Sequence, residues 1–251
     1  MRILSVILTS GTVLSIACGI LTGSHNGNSG VGATAAGTPT VARPEPATND
    51  GKDRFMSEQT SNPISLKATA KNTTAGLLIE YTVENHTDQE QYVWDRMIKY
   101  EGNEQKIDDD GAYVFLVDSN VLNVIRADLP LPQAIDVARK EIPFARLLPP
   151  QGKLVGTVKL PHPVVEMSPY YAPPKEEQQA KATASEVVLM IGWTPTKPGM
   201  KISERTIGGK KVFAIRGAWA GPYQEVLQER LMVSVDVITY KDDFERQTPL
   251  R

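Results

Sequence analysis

From Ile64 onward the chain repeats one signature: a short run in which apolar and polar residues alternate, then a turn signal. Leu77 to Glu84 (LLIEYTVE) places Leu77, Ile79, Tyr81 and Val83 on one side and mostly polar residues on the other. Period-two alternation is the mark of a strand with one buried face, and it does not suit a helix of period 3.6. Ile64 to Ala70 alternates in the same way, and Asn85-His86-Thr87-Asp88 supplies turn chemistry before Gln91 to Tyr100 (QYVWDRMIKY). A spacing of about a dozen residues between such runs predicts an all-β sandwich.

Further strands are expected at Tyr113–Val117, Val121–Ile125, Ile142–Leu148, Lys153–Leu160, Glu186–Trp193, Lys211–Arg216 and Glu229–Tyr240. In the last, Leu231, Val233, Val235 and Val237 face one way. Residues 133–141 (QAIDVARKE) fit a helical turn or another strand equally well. Roughly eight or nine strands with few helices predict a single Ig-like or jelly-roll-like sandwich over residues 63–251. With one cysteine in the chain, no disulfide staples this core.

The first sixty residues have a different texture. Met1-Arg2 is followed by an apolar run from Ile3 to Ala17, the n-region and h-region of a secretory signal peptide over residues 1–17. The run is shorter than the roughly 20 apolar residues a membrane-spanning helix needs. The sole cysteine follows it, in Leu14-Ser15-Ile16-Ala17-Cys18. This resembles the lipobox of bacterial lipoproteins, with Ser15 three positions before the cysteine and Leu14 one further back. The resemblance implies that Cys18 is lipidated and that the mature protein is anchored to a membrane. Gly19, where an inner-membrane retention signal would place Asp, implies the outer membrane of a cell with two. Ser15-Ile16-Ala17 also satisfies the rule for ordinary signal-peptidase cleavage after Ala17.

Residues 18–62 carry no apolar periodicity and no aromatic side chain before Phe55. Such a segment buries too little surface to offset the entropy of ordering it, so a flexible tether is expected. As a coil it would span on the order of 35 Å, enough to lift an anchored head off the bilayer.

Several function classes are disfavoured by composition and motif. Lys+Arg 27 against Asp+Glu 29 leaves a net charge of −2, which lacks the basic excess of a nucleic-acid binder. No Gly-x-Ser-x-Gly elbow occurs, and Cys18 belongs to the signal region. His25, His86 and His162 lie in unrelated segments without the spacing of a zinc site. Asp108-Asp109-Asp110-Gly111 lacks the alternating ligands and distal Glu of a calcium loop and reads as a polar turn. Gly208-Gly209-Lys210-Lys211 reads as a hairpin turn and not as a phosphate loop. No catalytic residue, metal or cofactor is therefore assigned.

The most unusual stretch is Leu160 to Pro174 (LPHPVVEMSPYYAPP), five prolines with Tyr170 and Tyr171 between them. Prolines fix φ and remove donors, so the stretch is not a central strand. It reads either as a stiff recognition loop or as a crossover whose tyrosines pack on the sandwich edge. Trp219, in Gly217–Tyr223 (GAWAGPY), is the second candidate for partner contact. The leading expectation is a non-enzymatic, lipid-anchored envelope protein whose sandwich binds an envelope protein, in an assembly, secretion-accessory or immunity/inhibitor role. The alternative is a carbohydrate- or cell-wall-binding module with the same aromatics stacking on sugars; a hydrolase stands third.

Overall fold

The computed structural model describes residues 62–132, 140–216 and 224–241. The described residues form fifteen strands and one 3₁₀ turn at Glu176–Gln178. In chain order the strands are β1 (Ile64–Thr73), β2 (Gly76–Asn85), β3 (Gln91–Glu101), β4 (Glu104–Asp108), β5 (Tyr113–Val117), β6 (Val121–Arg126), β7 (Phe144–Leu148) and β8 (Lys153–Pro161). They continue with β9 (Val164–Val165), β10 (Gln179–Ala184), β11 (Glu186–Pro195), β12 (Lys201–Ile207), β13 (Lys210–Arg216), β14 (Glu225–Leu231) and β15 (Val235–Tyr240). The protein is all-β, and its sheets form a sandwich-like arrangement.

One layer is the antiparallel sheet β1-β2-β8. The period-two pattern in β2 does what it predicts: Leu77, Ile79, Tyr81 and Val83 are buried and Glu80 is exposed. The facing layer is built around β11, which pairs in parallel with β6 over residues 186–191 and antiparallel with β3 over 192–195. β14 pairs with β11 over residues 187–193. Since β6 and β14 already flank 187–191, β3 takes over the edge of β11 where β6 leaves it. From β3 the sheet extends through β7 and β13 to β12, and from β6 to β5. A third sheet has the order β10-β15-β9, with β9 parallel to β15.

The main core lies between the layers. Ile64, Leu77, Ile79, Val83 and Val158 meet Val114, Leu122, Val124, Val187, Leu189 and Ile191, while Val164, Ala184, Val235 and Val237 close one end. Each such side chain contributes about 1.5–3 kcal/mol by leaving water. β11 is buried on its other face too, where Val188 and Met190 pack with Met97, Tyr113, Ile125 and Leu129. Dry surroundings on both faces explain the nearly unbroken apolar run EVVLMIGW.

Two features differ from the sequence expectation. Glu229–Tyr240 is not one strand: β14 joins β11, and after Met232–Ser234 the chain changes sheet so that β15 joins β10 and β9. The inward face survives this corner, with Leu231, Val235 and Val237 buried and Val233 packed beside them, so the alternation alone hides the break. The strand count also exceeds expectation, because β4, β9, β10 and β12 are short or polar. The Gly208-Gly209 turn holds as predicted: Ile207 pairs with Lys210, and both glycines have positive φ (55° and 76°), as a two-residue type I′ hairpin requires. Most of the ambiguous stretch 133–141 lies outside the described residues.

Candidate binding groove

The proline-rich stretch pairs only in its proline-free gap. Pro161 ends β8, Val164 and Val165 pair with β15, and the Glu166 N–H donates to Ile238 O at 3.0 Å. Met167 then exchanges both main-chain hydrogen bonds with Val114 of β5, at 2.8 and 3.0 Å. Four residues thus carry the ladder from β15 across to β5.

Glu166 stabilises this junction. It is buried, its Oε1 accepts the Leu116 N–H of β5 at 2.7 Å, and its Oε2 accepts the Thr239 hydroxyl of β15. Hydrogen bonds to an ionised acceptor are stronger than neutral ones, and here one carboxylate ties two strands. Sequence reading missed Glu166; its only trace is an acid inside the apolar run Val164-Val165-Glu166-Met167.

Beyond Ser168 the chain folds over the outer face of the sheet. Tyr170 is half-buried against the cluster that holds Tyr113 and Leu129, and its hydroxyl donates to Leu129 O at 3.2 Å. Burial first, with the charges of Asp128 and Glu141 second, pushes its phenol up to about 12. Tyr171, also half-buried, forms part of the wall of a groove of about 400 Å³. Phe115, Met167, Tyr170, Pro173 and Tyr240 complete most of the lining, with Lys175 and Gln178 beside them. The Tyr240 hydroxyl donates to Ala172 O, so two of the groove's phenols are bonded to main chain and present ring surface. The two sequence candidates therefore separate: Tyr170 is chiefly a packing residue and Tyr171 a groove residue. Cys18 and Trp219 lie outside the described residues.

The remaining polar residues resolve into structural pairs. Asp108 Oδ1 accepts the N–H groups of Asp110 and Gly111 at 3.2 and 3.0 Å, Asp109 is gripped by Arg96 and Lys210, and Lys159 stands 3.1 Å from Asp110. Among the described residues no group of three His, Cys, Asp or Glu is placed to hold a metal. His162 Nε2 stands 3.8 Å from Asp236 at the surface. His86 Nε2 lies 2.7 Å from Ser65 Oγ, a contact sequence reading did not foresee. Among the described residues no carboxylate bonds the other ring nitrogen. The contact links β1 to the turn that follows β2.

A buried ionic cluster was also missed. Asp95 of β3 and Arg126 of β6 are wholly buried, and Arg146 of β7 holds Asp95 through Nε at 2.9 and 3.0 Å and through Nη2. Arg126 donates to Gly111 O at 2.8 Å, Tyr81 Oη at 2.9 Å and Asp109 O at 2.6 Å. With its donors and acceptors matched inside the protein, the cluster joins strands and offers no open site.

Comparison with protein-family models, with curated proteins and with solved structures gives no match for this chain.

Proposed function

We propose that this protein is a non-enzymatic, lipid-anchored envelope protein that binds an extended segment of a protein partner in the groove beside Tyr171. The groove itself carries the reading. Its walls are ring and thioether surface, while the hydroxyls of Tyr170 and Tyr240 are turned onto main-chain oxygens. Such a lining suits apolar side chains, with Ser168, Lys175 and Gln178 as polar groups beside them for the main chain of a bound segment. The groove also runs beside a junction held by Glu166 and the Val114–Met167 bridge, so its shape is set before a ligand arrives. A preformed site loses little freedom on binding, and tyrosine adds contact area at small ordering cost. Export and anchoring follow from the signal-peptide run and Cys18, and the tether would let the head reach partners away from the bilayer.

Two experiments test the two halves. Tyr171→Ala should keep its melting temperature within a few degrees and lose the protein retained by the tagged wild type from envelope extracts. A photo-crosslinker at position 171 should capture that same protein, and one at exposed Val155 on the opposite layer should not. Equal retention by wild type and Tyr171→Ala would remove the groove from the account. For the anchor, wild type should incorporate a radioactive fatty acid and Cys18→Ala should not; unlabelled wild type in the soluble periplasm would reject lipidation.

A further inference from the structure

The hydrogen-bonded orders end at β1, β8, β10 and β12, while β5 and β9 are joined by Met167. An end strand presents main-chain donors and acceptors to any other chain, and proteins guard such edges with charge, proline or a bulge. β1 carries Lys67 and Lys71, β8 carries Lys153 and Lys159, and β12 carries Lys201, Glu204 and Arg205. Of the two strands that each pair with one other, β4 carries Glu104, Lys106 and Asp108, and β14 carries Glu225, Glu229 and Arg230. β10 reads Gln179-Ala180-Lys181-Ala182-Thr183-Ala184, with one charge, no proline and an unbroken register against β15. Among the described residues it is the least guarded edge.

We infer that β10 pairs antiparallel with β10 of a second copy, joining the two small sheets into one six-stranded sheet about a two-fold axis through Ala182. The register follows from faces and charges. Ala184, Val235 and Val237 are buried in the core, whereas Lys181, Thr183 and Asp236 are exposed on the opposite face. A two-fold perpendicular to the sheet keeps each core on its own side only if the axis passes through a residue, because a one-residue slip inverts every side chain. An axis through Lys181 would set two ammonium groups opposite each other, which is destabilising. An axis through Ala180 or Thr183 shortens the ladder. The axis through Ala182 pairs residues 180–184 of each strand and sets Lys181 opposite Thr183 of the second copy.

That register is also complementary in charge. Thr183 pairs with Asp236 across β10 and β15, and its Oγ1 donates to Asp236 Oδ1 at 3.2 Å. A row across the joined sheet would read Asp236, Thr183, then Lys181 of the second copy. With strands about 4.8 Å apart, that lysine's stem is long enough to bring its ammonium to the Thr183–Asp236 pair. Symmetry makes the contact twice. None of Lys181, Thr183 and Asp236 lines the groove, so the interface and the proposed partner site are separate.

Sedimentation of the full chain in detergent, at loads up to about 100 μM to cover weak contacts, tests the pairing. Wild type should be dimeric at the upper loads. Thr183→Lys sets lysines opposite each other, and should shift the protein to monomer while its melting temperature holds within a few degrees. Lys181→Glu combined with Thr183→Lys puts opposite charges back in register and should restore the dimer. Tyr171→Ala should leave the dimer intact. A monomeric wild type, a Thr183→Lys protein that still dimerises, or a double variant that stays monomeric would each overturn the inference.

Discussion

The Tyr81 hydroxyl donates to Asp95 Oδ2 at 3.0 Å, joining β2 of one layer to β3 of the other inside the protein. The Tyr81 hydroxyl oxygen in turn accepts Arg126 Nη1 at 2.9 Å, and Arg146 donates to both oxygens of the Asp95 carboxylate. Four strands, β2, β3, β6 and β7, thus meet at one carboxylate and one phenol. Buried ions of this kind add little when compared with a well-packed apolar substitute, and removing a single partner is costly.

Tyr81→Phe should therefore lower stability by about 1.5–3 kcal/mol, the range for hydrogen bonds to charged groups, and Asp95→Ala by about 3–5 kcal/mol, because it strands a buried guanidinium. Chemical denaturation at neutral pH measures both. The phenol also sets an alkaline limit. Burial first and the charge of Asp95 second push Tyr81 from 10.0 up to about 12, against the opposing pull of Arg126 and Arg146. Below pH 10 the folded and unfolded chains both keep this proton. Between pH 10 and about 12 only the unfolded chain releases it, so stability falls as pH rises through that window. Tyr81→Phe should flatten this part of the melting-temperature profile.

Gly156 of β8 sits under the same ring. A Cβ there would lie 2.2 Å from both Tyr81 Cζ and Oη. Gly156→Ala should push the ring off Asp95 and cost about 1–3 kcal/mol, the range for overpacking. The same substitution in a Tyr81→Leu background should cost less, which a double-mutant cycle by denaturation would reveal.

Asp128 offers a contrast with Asp95. Its carboxylate is buried with Lys140 as its cation, 2.8 Å away, and desolvation raises its pKa above the ordinary value more than Lys140 lowers it. A raised carboxyl favours the neutral form in the fold, so this group costs stability as pH climbs from the unfolded value of 3.8 through the folded one. Lys140→Met, which leaves the acid buried without its cation, should destabilise by about 3–5 kcal/mol at pH 7. Asp128→Asn should be far milder and should remove the acid-limb slope in a stability-against-pH titration.

Tyr170 and Tyr171 should respond oppositely. Tyr170→Ala removes a ring packed against Leu129 and Tyr113 and should cost roughly 3 kcal/mol or more. Tyr170→Phe deletes only the bond to Leu129 O and should cost about 1 kcal/mol. Tyr171→Ala should act on binding and leave the melting temperature within a few degrees. A stable Tyr170→Ala protein would show that the ring is not part of the outer cluster.

Strands whose inner face is apolar were legible, because burial on one side imposes the alternation itself; Tyr113–Val117 of β5 was predicted to the residue. β10 and β12 were not legible, since QAKATA and KISERTI lie at edges where water meets both sides of much of the strand. The chemistry was less legible than the fold. Asp95 and Arg126 come together from segments 31 residues apart, and Glu166 reaches Leu116 and Thr239 from a distance of 50 and 73 residues. Local pattern records which way a side chain faces, and it holds no record of which distant group it will meet. Tyr170 and Tyr171 were noticed through the prolines around them, and only their packing distinguishes the two.

β11 holds the facing layer together, and it is made late. Its partners β3 and β6 precede it by some 60 to 100 residues, and β14 follows. Val93 and Trp94 of β3 have β7 on one side, and Val124 and Ile125 of β6 have β5, but the other side of each strand stays open until residue 186 and beyond has been made. Non-local closure of this kind is slow, and unpaired apolar strands aggregate in the interval. The order of synthesis thus sets a period, ended by the arrival of β11, in which the facing layer is two separate pieces, β3 with β7 and β6 with β5.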